Sequence, residues 1–268
     1  MSFFSTPSKE VTQNSIVLRD PVFISDLHLS GDEPDTINGF LRFLDEVASQ
    51  HQELVILGDL FDYWVGDDDV ESAGIVVEAL KKFSENHKLC IMHGNRDFMM
   101  GARFGEACGA KMLADPCVTS NQGVRFLLSH GDLWCTDDEV YQKVRRKVRG
   151  FWWQWLMLRM PLSKRLDVAQ NARAKSKATK QANTAAKMDV VNGEVIKAAL
   201  QNRAHVVIHG HTHQPGAVEL DAHTTRYVLP DWHFEGERAV RGGYIVIEDH
   251  QPVLKSLVSL IRLEGVIT

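Results

Sequence analysis

Five short apolar runs in this chain each end in a polar cluster that carries potential metal ligands. The clusters supply Asp26 and His28, then Asp59, Asn95, His130, and finally His211 and His213. Singly each cluster is weak, because an Asp beside a Gly is commonly a turn residue and an isolated His is commonly a hydrogen-bonded core or surface group. The recurrence is the signal. Asp26 and His28 are two residues apart, as are His211 and His213, so in extended backbone each pair points one way and can chelate. Glycines beside Asp59, Asn95, His130 and His211 let several loops crowd onto one point. If one carboxylate bridges, these seven side chains make eight bonds, four to each of two ions roughly 3.5–4 Å apart, the spacing used for in-line phosphoryl chemistry. Two divalent ions outweigh the charges of Asp26 and Asp59, so such a site stays electropositive and prefers an anionic substrate. Nitrogen and oxygen donors without sulfur suit manganese, iron, cobalt or zinc better than calcium or magnesium, and Mn2+ is the expected ion.

The elements that must position these clusters are also legible. Strand-like runs fall at 22–25, 54–57, 89–92, 124–129, 206–208, 227–229 and 244–247. Helical spacing of Ile37, Phe40, Leu41, Leu44, Val47 and Ala48, repeated over 75–83, alternates with them and predicts a layered α/β (α+β layered) architecture. Ligand-bearing loops then lie at the carboxyl ends of strands, where such sheets place their sites. The stretch 140–200 has no strand signal and is rich in Ala, Lys, Arg and Gln. It reads as an all-helical insertion, broken near Pro161, within one domain spanning 1–268.

Composition narrows the class further. With 268 residues, 44% of them hydrophobic, the chain can bury a substantial core. The net charge of −5 hides thirteen Lys or Arg against one acid, Asp167, between Lys143 and Lys187. This basic stretch is either a solvated helical surface or a platform for anionic lipid or nucleotide. Within it Phe151, Trp152, Trp153, Trp155, Leu156, Met157 and Leu158 form an apolar surface too broad for one buried stripe. Acyl chains, a bilayer interface or the α/β body would cover it. The same cluster and the acidic remainder make nucleic acid a poor partner. The start of the chain does not read as a signal peptide, and the most apolar window is too short to span a bilayer. Cys90, Cys108, Cys117 and Cys135 lack paired metal or redox spacing and are assigned to packing in a reducing compartment. The run Asp67, Asp68, Asp69 reads as a solvated loop, with a structural role near the site as the lesser reading.

In order and type, the five clusters resemble the calcineurin-like metallophosphoesterase superfamily, whose elements are Asp-x-His, Gly-Asp, Gly-Asn-His-Asp/Glu, His and Gly-His-x-His. The resemblance implies a β-sandwich flanked by helices. It also implies one metal on Asp26, His28, Asp59 and His213, and another on Asp59, Asn95, His130 and His211. Arg96 stands where many members have a histidine that protonates an alkoxide. A phosphate leaving group needs charge more than a proton, so Arg96 points to a diphosphate substrate; otherwise it is a surface Arg paired with Asp97. Asp59, Asn95 and Arg96 are thus the expected catalytic set. Longer strings, including 58–62, 66–69, 93–98 and 135–138, resemble the branch of that superfamily that hydrolyses UDP-diacylglucosamine, a lipid substrate, in lipid A biosynthesis. That branch implies a cytoplasmic enzyme, peripheral on the inner membrane surface and monomeric, with substrate contacts at Asn95, Arg96, Asp138, Ser176, Lys180, Asn183 and His211. At 180 and 183 the family commonly has Asn and Lys, in the reverse order. Asp132 is expected to orient His130, and His209 is left outside the metal set.

Overall fold

The computed structural model describes residues 15–182 and 189–260. Two six-stranded sheets form its centre. In the first, β2 (Pro21–Ile24), β3 (Glu53–Leu57), β4 (Lys88–Met92) and β5 (Lys111–Leu113) run parallel, and β13 (Gly243–Glu248) followed by β14 (Gln251–Ser256) extends the β2 edge antiparallel. The second sheet has the order β1 (Ser15–Val17), β6 (Cys117–Asn121), β7 (Val124–Leu128), β8 (Val206–His209), β10 (Thr225–Val228), β9 (Gly216–Glu219). A separate ribbon pairs β11 (His233–Glu235) with β12 (Arg238–Arg241).

The central strands read as continuous apolar runs because both of their faces are buried. Val22, Ile24, Leu54, Ile56, Leu89 and Ile91 pack in one cluster with residues of α1 (Pro34–Glu46), α2 (Gly74–Ser84) and α3 (Ala102–Cys108). The alternate residues Phe23, Val55, Leu57, Cys90 and Met92 meet Phe126, Leu128, Val206 and Ile208 of the second sheet. On that sheet's far face Leu127 and Val207 pack with Trp134 and with Val195 and Ala199 of α7 (Asn192–Gln201). The result is helix, sheet, sheet, helix. Helix α1 shows the local logic: Pro34 opens it, Asp35 faces its positive end, and Phe40, Phe43 and Leu44 bury one stripe.

Because β7 and β8 are parallel neighbours, the chain between them must cross over. That crossover holds α4 (Glu139–Val148), α5 (Phe151–Leu158), α6 (Leu162–Ala182) and α7. The break expected near Pro161 separates α5 from α6. Although α7 falls inside the 140–200 span read as an insertion, it buries Val195 and Ala199 on the sheet and is part of the layered body.

Acid–arginine pairs fasten α4 and α6 to that body. Asp132, fully buried, accepts from Arg145 Nε (2.7 Å), Arg149 Nη2 (3.3 Å) and the Tyr141 hydroxyl (2.6 Å). Arg165, also buried, pairs with Asp68 and donates to the Val65 carbonyl at 2.6 Å. The acidic run, half exposed at Asp68, thus takes the structural role near the site. Asp67 accepts from Trp64 Nε1 (3.0 Å) and from the amides of Gly101 (2.9 Å) and Phe104 (3.0 Å), and Asp68 holds Arg165. On α5, Met157 is buried and Trp153 lies 6.1 Å from the Phe98 ring, whereas Phe151, Trp152, Trp155, Leu156 and Leu158 are exposed. No helix among the described residues is long and apolar enough to cross a membrane.

Candidate metal centre

The five clusters follow β2, β3, β4, β7 and β8, so the first sheet supplies three and the second supplies two, all at carboxyl ends. Five of the expected ligands adopt left-handed backbone: Asp26 (φ 56°), His28 (52°), Asp59 (53°), His211 (67°) and His213 (55°). This conformation is uncommon outside glycine, and its concentration at one place marks a functional site. Glycines supply the close approach. At Gly58 (φ 89°) a Cβ would lie 2.6 Å from the Gly94 Cα and from His130 Nδ1, while at Gly94 it would collide with the Asp59 carboxylate.

The side chains converge. His28 Nδ1 is 3.7 Å from Asp59 Oδ2, His213 Nε2 is 3.5 Å from Asp26 Oδ1, and the His28 and His213 Nε2 atoms are 3.4 Å apart. On the other side His130 Nε2 stands 3.8 Å from Asp59 Oδ1 and 3.1 Å from Asn95 Oδ1, and the His211 ring centroid is 5.0 Å from that of His130. Two groups, Asp26 with His28 and His213, and Asp26 with Asp59 and His130, bring candidate ligand atoms within 4.8 Å of one another.

The donor set fits divalent cations. His130 Nδ1 donates to the Leu57 carbonyl at 3.0 Å, which turns the lone pair of Nε2 toward Asn95 Oδ1. In the neutral ring these are two facing acceptors, which either a proton on Nε2, donating to Asn95 Oδ1, or a cation between them relieves. Asp26 Oδ1 is buried without a hydrogen bond. Burial raises both carboxyls. At Asp26 the His213, His130 and His28 rings more than offset it and hold the group well below the usual carboxylate range, whereas Asp59, which also faces the Asp26 charge, stays raised. Burial would lower His130, but the charges of Asp59 and Asp26 push it up to about 9. The buried carboxylates thus create a demand for cation that a proton on His130 or metal ions would meet.

Around this cluster the expectations divide. Arg96 does not pair with Asp97: its guanidinium pairs with Asp62, its Nε is 3.6 Å from Asp59 Oδ2, and its amide donates to Asp59 Oδ1 at 2.9 Å. Asp97 is buried, accepting from the amides of Leu60 (2.8 Å) and Gly94 (2.7 Å), and so locks the Asp59 loop to the Asn95 loop. Nor does Asp132 orient His130. The Leu57 carbonyl does that, because the ring turns toward the first sheet while Asp132 turns toward α4. His209 is buried against the edge of Trp134, 5.8 Å between centroids, with Nδ1 donating to the Gly210 carbonyl. Asp138 caps α4, accepting from the Tyr141 amide at 2.9 Å. Ser176 and Lys180 fall on α6, but their side chains lie outside the described set, and Asn183 lies outside the described residues altogether.

A cavity of about 490 Å3 opens from the Asn95 and Arg96 end of the cluster and runs beneath α4, α5 and α6. Its walls mix Trp64, Phe98, Trp153 and Met157 with the guanidiniums of Arg149 and Arg173. Arg149 and Arg173 were not singled out from sequence, and Asp62 appeared there only within the string 58–62. Nothing local in their spacing marks them, since each acquires its role from a partner far away in the chain.

Comparison with known proteins identifies the family. The model of the calcineurin-like phosphoesterase family matches residues 22–215. A UDP-2,3-diacylglucosamine hydrolase of Serratia proteamaculans is 44% identical over 220 residues, covering 80% of this chain and 92% of that protein. One of Chromobacterium violaceum is 42% identical over 231 residues, covering 85% and 94%. A dimetal phosphatase from Danio rerio superposes with a TM-score of 0.47 at 13% identity, covering 89% of this chain and 96% of the other. With ligand-bearing loops and family match spanning the same residues, the chain belongs to the calcineurin-like phosphoesterase family of metal-dependent hydrolases.

Proposed function

We propose that the protein hydrolyses the diphosphate of UDP-2,3-diacylglucosamine to UMP and 2,3-diacylglucosamine 1-phosphate, a step of lipid A biosynthesis, using two Mn2+ ions. The observation that carries this reading is the cavity, which joins the candidate metal cluster to apolar walls under a basic cap. The relatives' name supplies the substrate identity.

Asp26, His28, Asp59 and His213 would hold one ion, and Asp59, Asn95, His130 and His211 the other. Bound there, the ions supply Lewis-acid charge and a water of lowered pKa. The chain does the rest. His130 is oriented by the Leu57 carbonyl, and Arg96 offers fixed positive charge to the phosphate oxygens as the sugar phosphate departs. Trp153, Met157 and Phe98 give the acyl chains an apolar wall that excludes water. Asp138, Ser176, Lys180 and Asn183 complete the polar contacts of this reading.

The exposed face of α5, flanked by exposed Arg146, Lys147 and Arg159, suits the interface of an anionic bilayer. It supports action at a membrane surface, which the proposal places at the cytoplasmic face of the inner membrane with the protein as a monomer. The deciding experiment is Mn2+-dependent UMP release from UDP-2,3-diacylglucosamine against UDP-N-acetylglucosamine. Strong preference for the acylated compound is expected. Equal turnover, or turnover of the soluble compound alone, would replace this reading with a general nucleotide-diphosphate hydrolase.

A further inference from the structure

Asp62 lies outside the candidate ligand set, three residues beyond Asp59 and buried to 4% exposure. One of its carboxylate oxygens holds the Arg96 guanidinium, and the other lies 2.7 Å from Nη2 of Arg173. Arg96 belongs to the loop after β4 that carries Asn95, whereas Arg173 belongs to α6 of the cap, and both line the cavity. A single buried acid therefore joins the loop beside the metal cluster to the cap, across the cavity.

Two guanidiniums share Asp62, and because Asp59, 3.6 Å from Arg96 Nε, also faces His28 and His130, the pair keeps a surplus of positive charge. Each Arg carries five N–H donors, of which a shared carboxylate occupies few, so the outward donors stay available to an anion. Asp62 also restrains Arg96. With its Nε already 3.6 Å from Asp59 Oδ2, a released guanidinium would collapse onto the carboxylate placed to bridge the metals. The surplus charge, the fork geometry and the position beside Asn95 suit a ligand with two adjacent phosphates.

Deepening the function proposed above and resting on it for the substrate, the geometry points to Asp62 as a positioning residue that presents Arg96 and Arg173 together as a paired clamp for the diphosphate. Arg173 then contacts substrate, and Asp62 acts through the two arginines. The sign of one measurement separates this from a simple counter-ion role. Removing a carboxylate that merely neutralises the arginines would strengthen anion binding, whereas removing one that aligns them weakens it.

The test is binding of inorganic pyrophosphate to the metal-free protein by calorimetry, with D62N, R173A and D62E. D62N and R173A should each weaken binding about tenfold or more, and D62E should recover most of the loss, as expected for displaced charge-assisted hydrogen bonds. In the Mn2+-loaded protein, kcat/KM on UDP-2,3-diacylglucosamine should fall at least about tenfold further than on bis(p-nitrophenyl) phosphate, which has one phosphate; a merely structural defect would lower both alike. R173A should cost less in a D62N background than alone. Tighter or unchanged pyrophosphate binding in D62N, or no measurable binding to the wild type, overturns the clamp even if the lipid is confirmed as substrate. Absent lipid turnover with D62N-sensitive pyrophosphate binding overturns the substrate reading alone.

Discussion

Asp132→Asn tests whether the cap is held by charge. The carboxylate is fully buried and accepts from three side chains, Tyr141, Arg145 and Arg149, the first two at 2.6 and 2.7 Å. Burial opposes its ionisation, but the His130 ring and the Arg149 and Arg145 guanidiniums hold it well below the usual carboxylate range. An asparagine keeps one acceptor oxygen and turns an NH2 toward a guanidinium, taking from Arg149 its carboxylate partner and leaving Arg145 with Asp115 alone, 3.8 Å away. Breaking such a pair costs about 3–5 kcal/mol, and the 18% exposure of Arg145 argues for the lower end, about 3 kcal/mol. Set against a total of about 5–15 kcal/mol, that is a large fraction. Urea unfolding of the metal-free protein should therefore show a midpoint lower by about 1 M at an m-value near 3 kcal/mol/M. Tyr141→Phe, which removes one hydrogen bond to the same carboxylate, should cost about 1.5 kcal/mol, and less than that in the Asp132→Asn background. A loss below about 1 kcal/mol in Asp132→Asn, or full additivity with Tyr141→Phe, would refute the reasoning.

The other expectations are briefer. Asp59→Ala should lower metal stoichiometry below two per chain by mass spectrometry of the desalted protein and cut turnover about a thousandfold or more, because it faces both histidine groups; retained turnover would remove Asp59 from the bridge. His209 is pulled down to about 4 by desolvation, so it is neutral in the fold yet titrates near 6.5 when unfolded. The folded state then loses on the order of 3 kcal/mol as pH falls from about 6.5 to 4, a slope that should flatten in His209→Gln when metal-free unfolding is followed across that window. All four cysteines are buried, with Cys108 and Cys117 pushed up to about 11 and Cys135 to about 12 by burial. No thiol should react with Ellman's reagent at pH 8 in the native protein, and four should react in denaturant.

What the sequence made legible follows from which physics is local. The runs at 22–25, 54–57, 89–92, 124–129, 206–208, 227–229 and 244–247 all fall on or overlap strands, and in β2, β3 and β8 burial on both faces writes itself as an unbroken apolar string, whereas β10 alternates buried and half-buried residues. Strands β1, β5, β6, β9, β11, β12 and β14 were not expected. Several are three or four residues long or, like β6 (CVTSN), carry polar side chains that read as loop. The candidate ligand clusters stood out because carboxylate, amide and imidazole side chains recur at strand ends. Their supports did not. The role of Asp97 depends on the amides of Leu60 and Gly94, that of Asp62 on Arg173, and that of Asp132 on a helix up to seventeen residues later. A carboxylate looks the same in sequence whether it faces a metal, an arginine or water.

The division of the metal cluster between two sheets has a consequence for how the protein is made. Asp26, Asp59 and Asn95 leave the ribosome with the first sheet, but His130, His211 and His213 belong to the second, and β13, which closes the free edge of β2, comes later still. At about 5–20 residues per second, roughly 10–40 s separate the emergence of Asp26 from that of His213. Through that interval the nascent chain exposes carboxylates and a histidine that lack their partners. Ions held by this candidate set would thus load late in biosynthesis, after the two sheets have found each other.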